Sequence, residues 1–278
     1  MNKLLERSID AAGERLVLLA PPQASAHHHF QHVDVDPHLH GHLLGQMQEM
    51  RGRVYLEDGA ISHEHLKDGR HQTPEDDRSW HLLMLDGMRR ITACLWYLEH
   101  DEQTAALPRL RVKHCPLAHD GQHQGSFRQA IESELKRARR DNLRFAEVGG
   151  WAVSRESRGT PEGLVLALAT YSLGRIAGGA IGLTTATVRH ASATILRRLG
   201  GSSLEAFGAK VPSYYDPRYG CEMELLRFDS RRPTARFTYL IDRLKDRLSD
   251  ACVVASSALD HVAEHVDRPA ATSAQLAA

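Results

Sequence analysis

The chain has 278 residues, of which 42% are hydrophobic and 25% charged, as in an ordinary globular protein that buries a large core. Its 35 basic and 35 acidic side chains balance, which argues against a general affinity for nucleic acid or for an anionic membrane surface. The four cysteines are widely spaced and form no CxxC pair, and the apolar run Leu16–Ala20 is far too short to span a membrane. We therefore expect a cytoplasmic protein without stable membrane insertion.

Residues 1–36 are polar and rich in histidine, with Pro21-Pro22 in their middle, and we interpret them as a flexible arm. The run His27-His28-His29, together with Asp34 and Asp36, offers ligands that zinc or nickel accept, so a metal-handling protein is one alternative. The arm has neither paired cysteines nor an HExxH helix. No catalytic metal is expected.

The apolar spacing predicts a helix from Leu39 to Arg53, and the polar residues 57–78 predict a loop on the substrate side. Two strands joined by Asp86-Gly87 indicate a hairpin. The elements predicted from there to residue 140 are strands Trp80–Leu85, Arg90–Leu98 and Leu110–His114, and helix Ser126–Arg140.

The second half alternates strands and helices, which predicts an α/β fold with a mixed sheet. Thr160 suits an N-cap and Pro161 a first helical position, and Gly178-Gly179 suits the end of that helix. The remaining predicted elements are strands Arg144–Val153, Ile181–Val188 and Tyr219–Phe228, and helices Ala191–Leu199 and Phe237–Ala258. We expect one domain over residues 37–265 and a disordered tail over residues 266–278.

The junction between strand Arg144–Val153 and the next helix is a candidate phosphate site. A helix N-terminus carries unpaired amides and a partial positive charge, and the two arginines would add charged donors. The alternative is an ordinary capped helix, whose dipole Glu162 already uses. The residues predicted to bind the cofactor here are Ser154, Arg155, Arg158, Gly159 and Thr160.

Several short motifs together resemble the acyl-homoserine-lactone synthases, and more closely the long-chain N-acyl amino acid synthases. They are Arg51…Val54-Tyr55, Glu75-Asp76-Asp77, the hairpin Trp80–Leu98, Glu147–Val153, Thr187–His190, Ile195–Gly200 and Tyr214–Cys221, within residues 40–245. The resemblance implies an N-acetyltransferase (GNAT-like) fold, with a central mixed, mostly antiparallel sheet flanked by helices. It also implies an acyl donor on acyl carrier protein or coenzyme A.

Two positions depart from the lactone synthases, which commonly carry arginine where this chain has Trp96 and Gly150. Both departures weaken the case for adenosylmethionine and lactone chemistry, and they are compatible with another amine acceptor. The compact phosphate-loop pattern of typical acetyltransferases is also missing, so carrier protein and coenzyme A both stay open as donors.

Amide formation requires a proton acceptor, donors for an oxyanion and a proton for the leaving thiolate. Glu147 is the predicted proton acceptor, directly or through water, and the alternative is an ion pair with a neighbour such as Arg144. Gly149-Gly150 suits a bulge that turns a backbone N–H inward. Tyr214 is the predicted proton donor, with Tyr215 and Tyr171 as alternatives. His190, at a strand end, is a secondary candidate for proton transfer.

Arg51 and Tyr55, with Asp76 and Asp77 across the loop, are predicted to border the substrate entrance. Arginine binds a carboxylate through two parallel hydrogen bonds, so Arg51 suits an amino-acid acceptor. The alternative is that Arg51 pairs with a loop aspartate. The apolar residues predicted to line an acyl tunnel are Trp80, Leu83, Leu95, Trp96, Phe145 and Trp151, and Gly150 belongs to the same substrate site.

The basic run Lys136–Arg140 is a candidate docking site for an acidic carrier protein, or simply a solvated helix end. Taken together, the residues predict an N-acyltransferase that moves a medium or long acyl chain from a carrier thioester to the amine of an amino acid or a similar small acceptor. The alternatives are a non-catalytic acyl-binding or regulatory protein on the same fold, and a lactone-type synthase.

Overall fold

The computed structural model describes residues 2–22, 24–26, 30–101, 104–257 and 260–261. Helices in this part of the chain are α1 (Asn2–Arg15), α2 (Pro37–Glu57), α3 (Gln124–Arg140), α4 (Glu162–Ile176), α5 (Ser192–Leu199) and α6 (Ala235–Ser249). Strands are β1 (Leu16–Ala20), β2 (Ser25–Ala26), β3 (His32–Val35), β4 (Trp80–Leu85), β5 (Ile91–His100), β6 (Arg144–Val153), β7 (Ala180–Thr187), β8 (Ser202–Ser203), β9 (Glu205–Ala206), β10 (Ala209–Lys210), β11 (Tyr214–Asp216), β12 (Cys221–Asp229), β13 (Cys252–Ala255) and β14 (Asp260–His261).

One large sheet organises the fold, with strand order β11-β12-β7-β6-β5-β4-β1-β13-β3 and β8 paired to β12. The pairs β6–β7, β1–β13 and β13–β3 are parallel, and the other pairs of this sheet are antiparallel. Helices α1, α4 and α6 cover one face, while α2 and α3 cover the other. The predicted mixed, mostly antiparallel sheet flanked by helices is confirmed.

Helix α4 lies in the centre of its layer, because nearly all of its residues are apolar or small and most are buried. Helix α6 packs beside it through Phe237, Leu240, Ile241, Leu244 and Leu248, which recur at helical spacing. The described part of the chain contains no helix that is both long and apolar enough to cross a membrane.

The N-terminal segment is part of the core, so the interpretation of residues 1–36 as a loose arm is wrong for Asn2–Ala20. Leu5, Ile9 and Ala12 recur on one face of α1 and are buried against the sheet. Strand β1 is buried throughout and lies between β4 and β13. The run His27-His28-His29 and the predicted tail at residues 266–278 lie outside the described residues.

Three local predictions also need correction. Residues Arg111–His114 form a 3-10 helix and not a strand, and the closing helix ends at Ser249, after which β13 adds a parallel strand. Helix α4 begins at Glu162 rather than at Pro161. The β4–β5 hairpin is confirmed, but the left-handed residue of its turn is Arg89 (φ 63°), so the Asp86-Gly87 dipeptide does not form a two-residue turn.

Candidate active site

The two central parallel strands separate halfway along their length. Strands β6 and β7 pair from Arg144↔Ala180 to Val148↔Thr184, after which β6 continues along β5 and β7 continues along β12. At the point of separation β6 carries a bulge, since Cys94 pairs with Ala152 and Trp96 with Gly149. The extra residue takes Gly150 into the left-handed region (φ 63°), which favours glycine.

A cavity of about 150 Å³ fills the opening between the diverging strands. Its walls are Trp96 from β5, Gly149–Trp151 from β6 and Thr184–Thr187 from β7, closed by Tyr55 and Tyr219. We call it the splay cavity. It adjoins a cleft of about 600 Å³ at the start of α4, and the two share Asp58, Trp151, His190 and Ser192. We call the second space the α4 cleft.

The buried ring of Trp96 explains why two glycines follow each other here. A Cβ atom built on Gly149 would lie 2.4 Å from Trp96 Cζ2, and one built on Gly150 would lie 2.3 Å from Trp96 Cδ1. Both distances are far below van der Waals contact. The two departures from the lactone synthases are therefore coupled, because the indole at position 96 fills the space that a side chain at position 150 would need.

The end of α2 ties the loops after β6 and β7 together. The Asp58 carboxylate accepts a hydrogen bond from Arg158 Nη2 at 2.8 Å, and its carbonyl accepts one from Arg189 Nη2 at 2.9 Å. Residues 158 and 189 follow the two diverging strands, so Asp58 closes the open side of the separation. Arg158, Gly159 and Thr160 line the α4 cleft as predicted for a phosphate loop, together with Arg198 and Arg236.

Arg51 is buried beneath the site in an ion pair with Asp76. Its Nη1 and Nη2 donate to Oδ1 and Oδ2 at 2.9 and 2.7 Å, and the guanidinium is only 1% exposed. Burial alone would raise the pKa of Asp76, but the hydrogen bonds and charge of Arg51 outweigh it and hold that pKa below its usual range. The structure thus shows the alternative that the sequence left open, in which Arg51 pairs with a loop aspartate.

The other predicted entrance residues lie apart from one another. Asp77 is exposed and lines a separate cleft beside Trp80, away from the splay cavity. Tyr55 lines the splay cavity, with its ring edge-on to Tyr219 at a centroid distance of 6.5 Å. Burial, and next the neighbouring Tyr219, raise the pKa of the Tyr55 phenol, which therefore stays protonated. Of the predicted tunnel residues, Leu95, Trp96 and Trp151 line the splay cavity, whereas Trp80, Leu83 and Phe145 belong to the core.

Glu147 is held by three donors from outside its own strand. Its Oε1 accepts the backbone N–H of Val112 at 2.7 Å, and its Oε2 accepts that of Arg111 at 2.7 Å and lies 2.9 Å from His100 Nε2. The alternative in which Glu147 pairs with a neighbouring side chain is therefore what the structure shows, with His100 as the partner, while Arg144 lies 3.3 Å from Glu99. A carboxylate has about four acceptor positions, so at most one is left. Glu147 borders a void of about 10 Å³ that shares Trp96, Arg111 and Thr184 with the splay cavity.

His190 lines both the splay cavity and the α4 cleft, and its Nε2 accepts from Arg189 Nε at 3.2 Å. Tyr214 lies elsewhere, since its side chain is buried in the core under α3. Tyr171, on α4, packs against Phe228 in the opposite core layer. Ser154 is buried at the turn after β6 and Arg155 is exposed beside it, and neither is among the described residues that line the α4 cleft.

Several residues that border the splay cavity are not among the site residues predicted from the sequence, and the two most relevant to its chemistry are Arg111 and Tyr219. The sequence pattern predicts a strand over Leu110–His114, but Arg111 begins a 3-10 helix there, so the pattern does not place its side chain at the cavity. Tyr219 lies in the turn after β11, within the segment Tyr214–Cys221, whose resemblance to the synthases assigns no role to this side chain.

The basic end of α3 is partly engaged within the protein. Arg137 pairs with Glu134 at 3.9 Å, Arg140 with Asp141 at 3.0 Å, and Arg139 donates to the carbonyl of Ala105. Lys136 is exposed. Among the residues that the structure describes, no group of three or more histidine, cysteine, aspartate or glutamate side chains is arranged to hold a metal ion.

No protein-family model matches the sequence, and a search of curated proteins found no match. Among solved structures, the chain is similar to the coenzyme A-dependent acyl-homoserine lactone synthase BjaI, seen with SAM and isopentyl-CoA and, in a second structure, with MTA. The TM-scores are 0.50 and 0.51 and the identities 16% and 17%, over 87% of this chain and 92% of BjaI in both cases. FeeM, an N-acyl amino acid synthase from uncultured soil microbes, aligns with a TM-score of 0.41 and 13% identity over 67% of this chain and 90% of its own. The likeness to BjaI concerns the fold alone, and it supports the predicted GNAT-like fold.

Proposed function

We propose that the protein is an N-acyltransferase that moves a medium or long acyl chain from a thioester of coenzyme A or acyl carrier protein to the amine of an amino acid or a similar small acceptor. The observation that supports this most is the separation of β6 from β7 at the Gly150 bulge. It opens a cavity in the centre of the sheet that continues into a cleft at a helix N-terminus.

The proposed donor lies along the α4 cleft with its thioester in the splay cavity. Beyond Val148, no described strand pairs with the β7-facing edge of β6. The amides of a pantetheine arm can therefore hydrogen-bond to that edge as an added strand would. Arg158, Gly159 and Thr160, at the start of α4, suit the phosphate end of the donor, and Ser154 and Arg155 form the turn that leads into this loop.

The proposed reaction forms one C–N bond and breaks one C–S bond. The acceptor amine attacks the thioester carbonyl carbon, and the resulting oxyanion is stabilised by backbone N–H groups at the Gly149-Gly150 bulge. The carbonyl then re-forms as the thiolate leaves. The amine loses one proton and the thiolate gains one, so the products are an N-acyl amine and a free thiol.

For the proton acceptor we retain Glu147, acting through one water molecule. The void beside its carboxylate measures about 10 Å³, which is about the space that one water requires, and it adjoins the splay cavity. For the proton donor to the thiolate we propose Tyr219 in place of Tyr214, because Tyr219 lines the splay cavity and Tyr214 is in the core. His190 borders the donor path and is proposed to orient it.

The proposal is tested on bacteria that express the protein, by mass spectrometry of their lipid extracts. We expect new N-acyl amino acids with the wild-type chain and none with Glu147→Gln. Tyr219→Phe should slow turnover by about 100- to 10,000-fold, as loss of one positioned proton donor does. The matched control is Tyr215→Phe, since Tyr215 is 62% exposed on the neighbouring strand and should leave turnover unchanged. An extract without any new lipid would contradict the proposal.

A further inference from the structure

Arg111 lies where two spaces of the protein meet. A polar cleft of about 720 Å³ on the α2 side of the sheet is bordered by Glu75, His100, Asp101, Arg109, Arg111 and Tyr219. Of the described residues, Arg111 and Tyr219 border both this polar cleft and the splay cavity. An acceptor that enters through the polar cleft would therefore pass Arg111 before it reaches the thioester.

The guanidinium of Arg111 is held in place from three directions. Its own backbone N–H is fixed by Glu147, its Cζ stacks 5.4 Å from the centre of the Trp96 ring, and its Nε lies 3.3 Å from Glu75 Oε2. The side chain is still 21% exposed. Anchoring of this kind limits the entropy lost when a ligand binds, and the planar donors of arginine match a carboxylate.

Arg51 and Arg111 differ in what their donors already bind. Both terminal nitrogens of Arg51 are occupied by Asp76. Arg111 meets Glu75 most closely through Nε, at 3.3 Å, and its guanidinium also hydrogen-bonds to the Tyr219 side chain. The Arg111 side chain is 21% exposed and that of Arg51 only 1%, so a second carboxylate can approach Arg111 from the junction, whereas none can reach Arg51.

We propose that Arg111 binds the carboxylate of the acceptor at this junction and thereby selects amino acids over simple amines. In an α-amino acid one carbon separates the carboxylate from the amine. A carboxylate on Arg111 thus places the amine at the mouth of the splay cavity, facing the thioester carbonyl. The inference rests on the proposed N-acyl transfer and names the residue that defines the acceptor.

The experiment compares an amino acid with the amine of the same side chain that lacks the carboxylate, as acceptors for purified protein and an acyl thioester. Wild type should prefer the amino acid. Arg111→Gln should raise KM for the amino acid by about 10- to 100-fold, because its charge-assisted pair with the carboxylate is lost. KM for the simple amine should stay within about twofold of the wild-type value, because that acceptor has no carboxylate to pair. Arg111→Lys should fall between, since lysine keeps the charge but not the two parallel bonds.

The matched control is Arg109→Gln, two residues away on the same segment, because Arg109 borders the polar cleft but not the splay cavity. Hydrolysis of the thioester without acceptor checks that each variant still folds and binds the donor. If Arg111→Gln fails this check, the ratio of the two acceptors is taken from Arg111→Lys. Equal losses for both acceptors would overturn the role of Arg111 and leave acyl transfer standing, whereas no transfer by wild type would overturn both.

Discussion

The buried Arg51–Asp76 pair should stabilise the fold, and removal of Asp76 tests this. Both side chains are at most 2% exposed, and the carboxylate also accepts hydrogen bonds from Gln48 and from the backbone and hydroxyl of Thr73. Asp76→Ala would leave the guanidinium charged, buried and without its partner. Breaking such a pair costs about 3–5 kcal/mol. The additional bonds place our expectation at the upper end of that range.

The assay is urea unfolding at pH 7, with Asp77→Ala as the matched control. Asp77 is adjacent in sequence but exposed, so its replacement should change the free energy of unfolding by at most about 0.5 kcal/mol. The double variant Arg51→Met/Asp76→Leu should recover most of the loss, because it leaves no unpaired buried charge. A loss below about 1 kcal/mol for Asp76→Ala would refute the reasoning, as would an Arg51→Met variant of normal stability with a raised KM for the acceptor.

Two further predictions concern the packing under the bulge and the buried histidines. Gly150→Ala should destabilise the protein by about 2–4 kcal/mol, from the clash with Trp96 and the positive φ, and should abolish acyl transfer, whereas Gly121→Ala, with open space around it, should be near neutral in thermal unfolding. Burial lowers the pKa of His71 and of His81 from 6.5 to about 4, so between these values the unfolded chain binds protons that the folded chain does not. Stability should therefore fall as pH decreases from about 6.5 to about 4. The double variant His71→Gln/His81→Gln should flatten the dependence of stability on pH. A wild-type free energy of unfolding, measured with urea, that does not change over this pH range would contradict the prediction.

Local patterns were sufficient to predict strand β6 and the start of the helix that follows it, which are two of the elements that build the site. Strand Arg144–Val153 has the predicted bounds, and its Gly149-Gly150 pair forms the predicted bulge. Alternation and glycine placement are local signals, so they can be read without knowing what packs against the strand. The helix start after Thr160 was predicted to within two residues for the same reason.

The errors came from features that only tertiary contacts decide. Leu16–Ala20 is a short apolar run, and its place in the middle of the sheet depends on β13, which lies more than two hundred residues away in the sequence. Arg111 approaches the site because Glu147, on another strand, captures its backbone N–H. The partner of Arg51 could be proposed as an aspartate but not chosen, since Asp76 and Asp77 are adjacent and only their burial distinguishes them.

The central claim is acyl transfer to an amine at the separation of β6 and β7. Its most direct measurement is the mass spectrum of products formed by the purified protein from an acyl-coenzyme A and a ¹⁵N-labelled amino acid. The account predicts one product in which the acyl chain is joined to the labelled nitrogen, with an equal amount of free thiol and no product from the Gly150→Ala variant. The claim would be contradicted if the protein binds the acyl-coenzyme A but never transfers its acyl chain to the labelled amine.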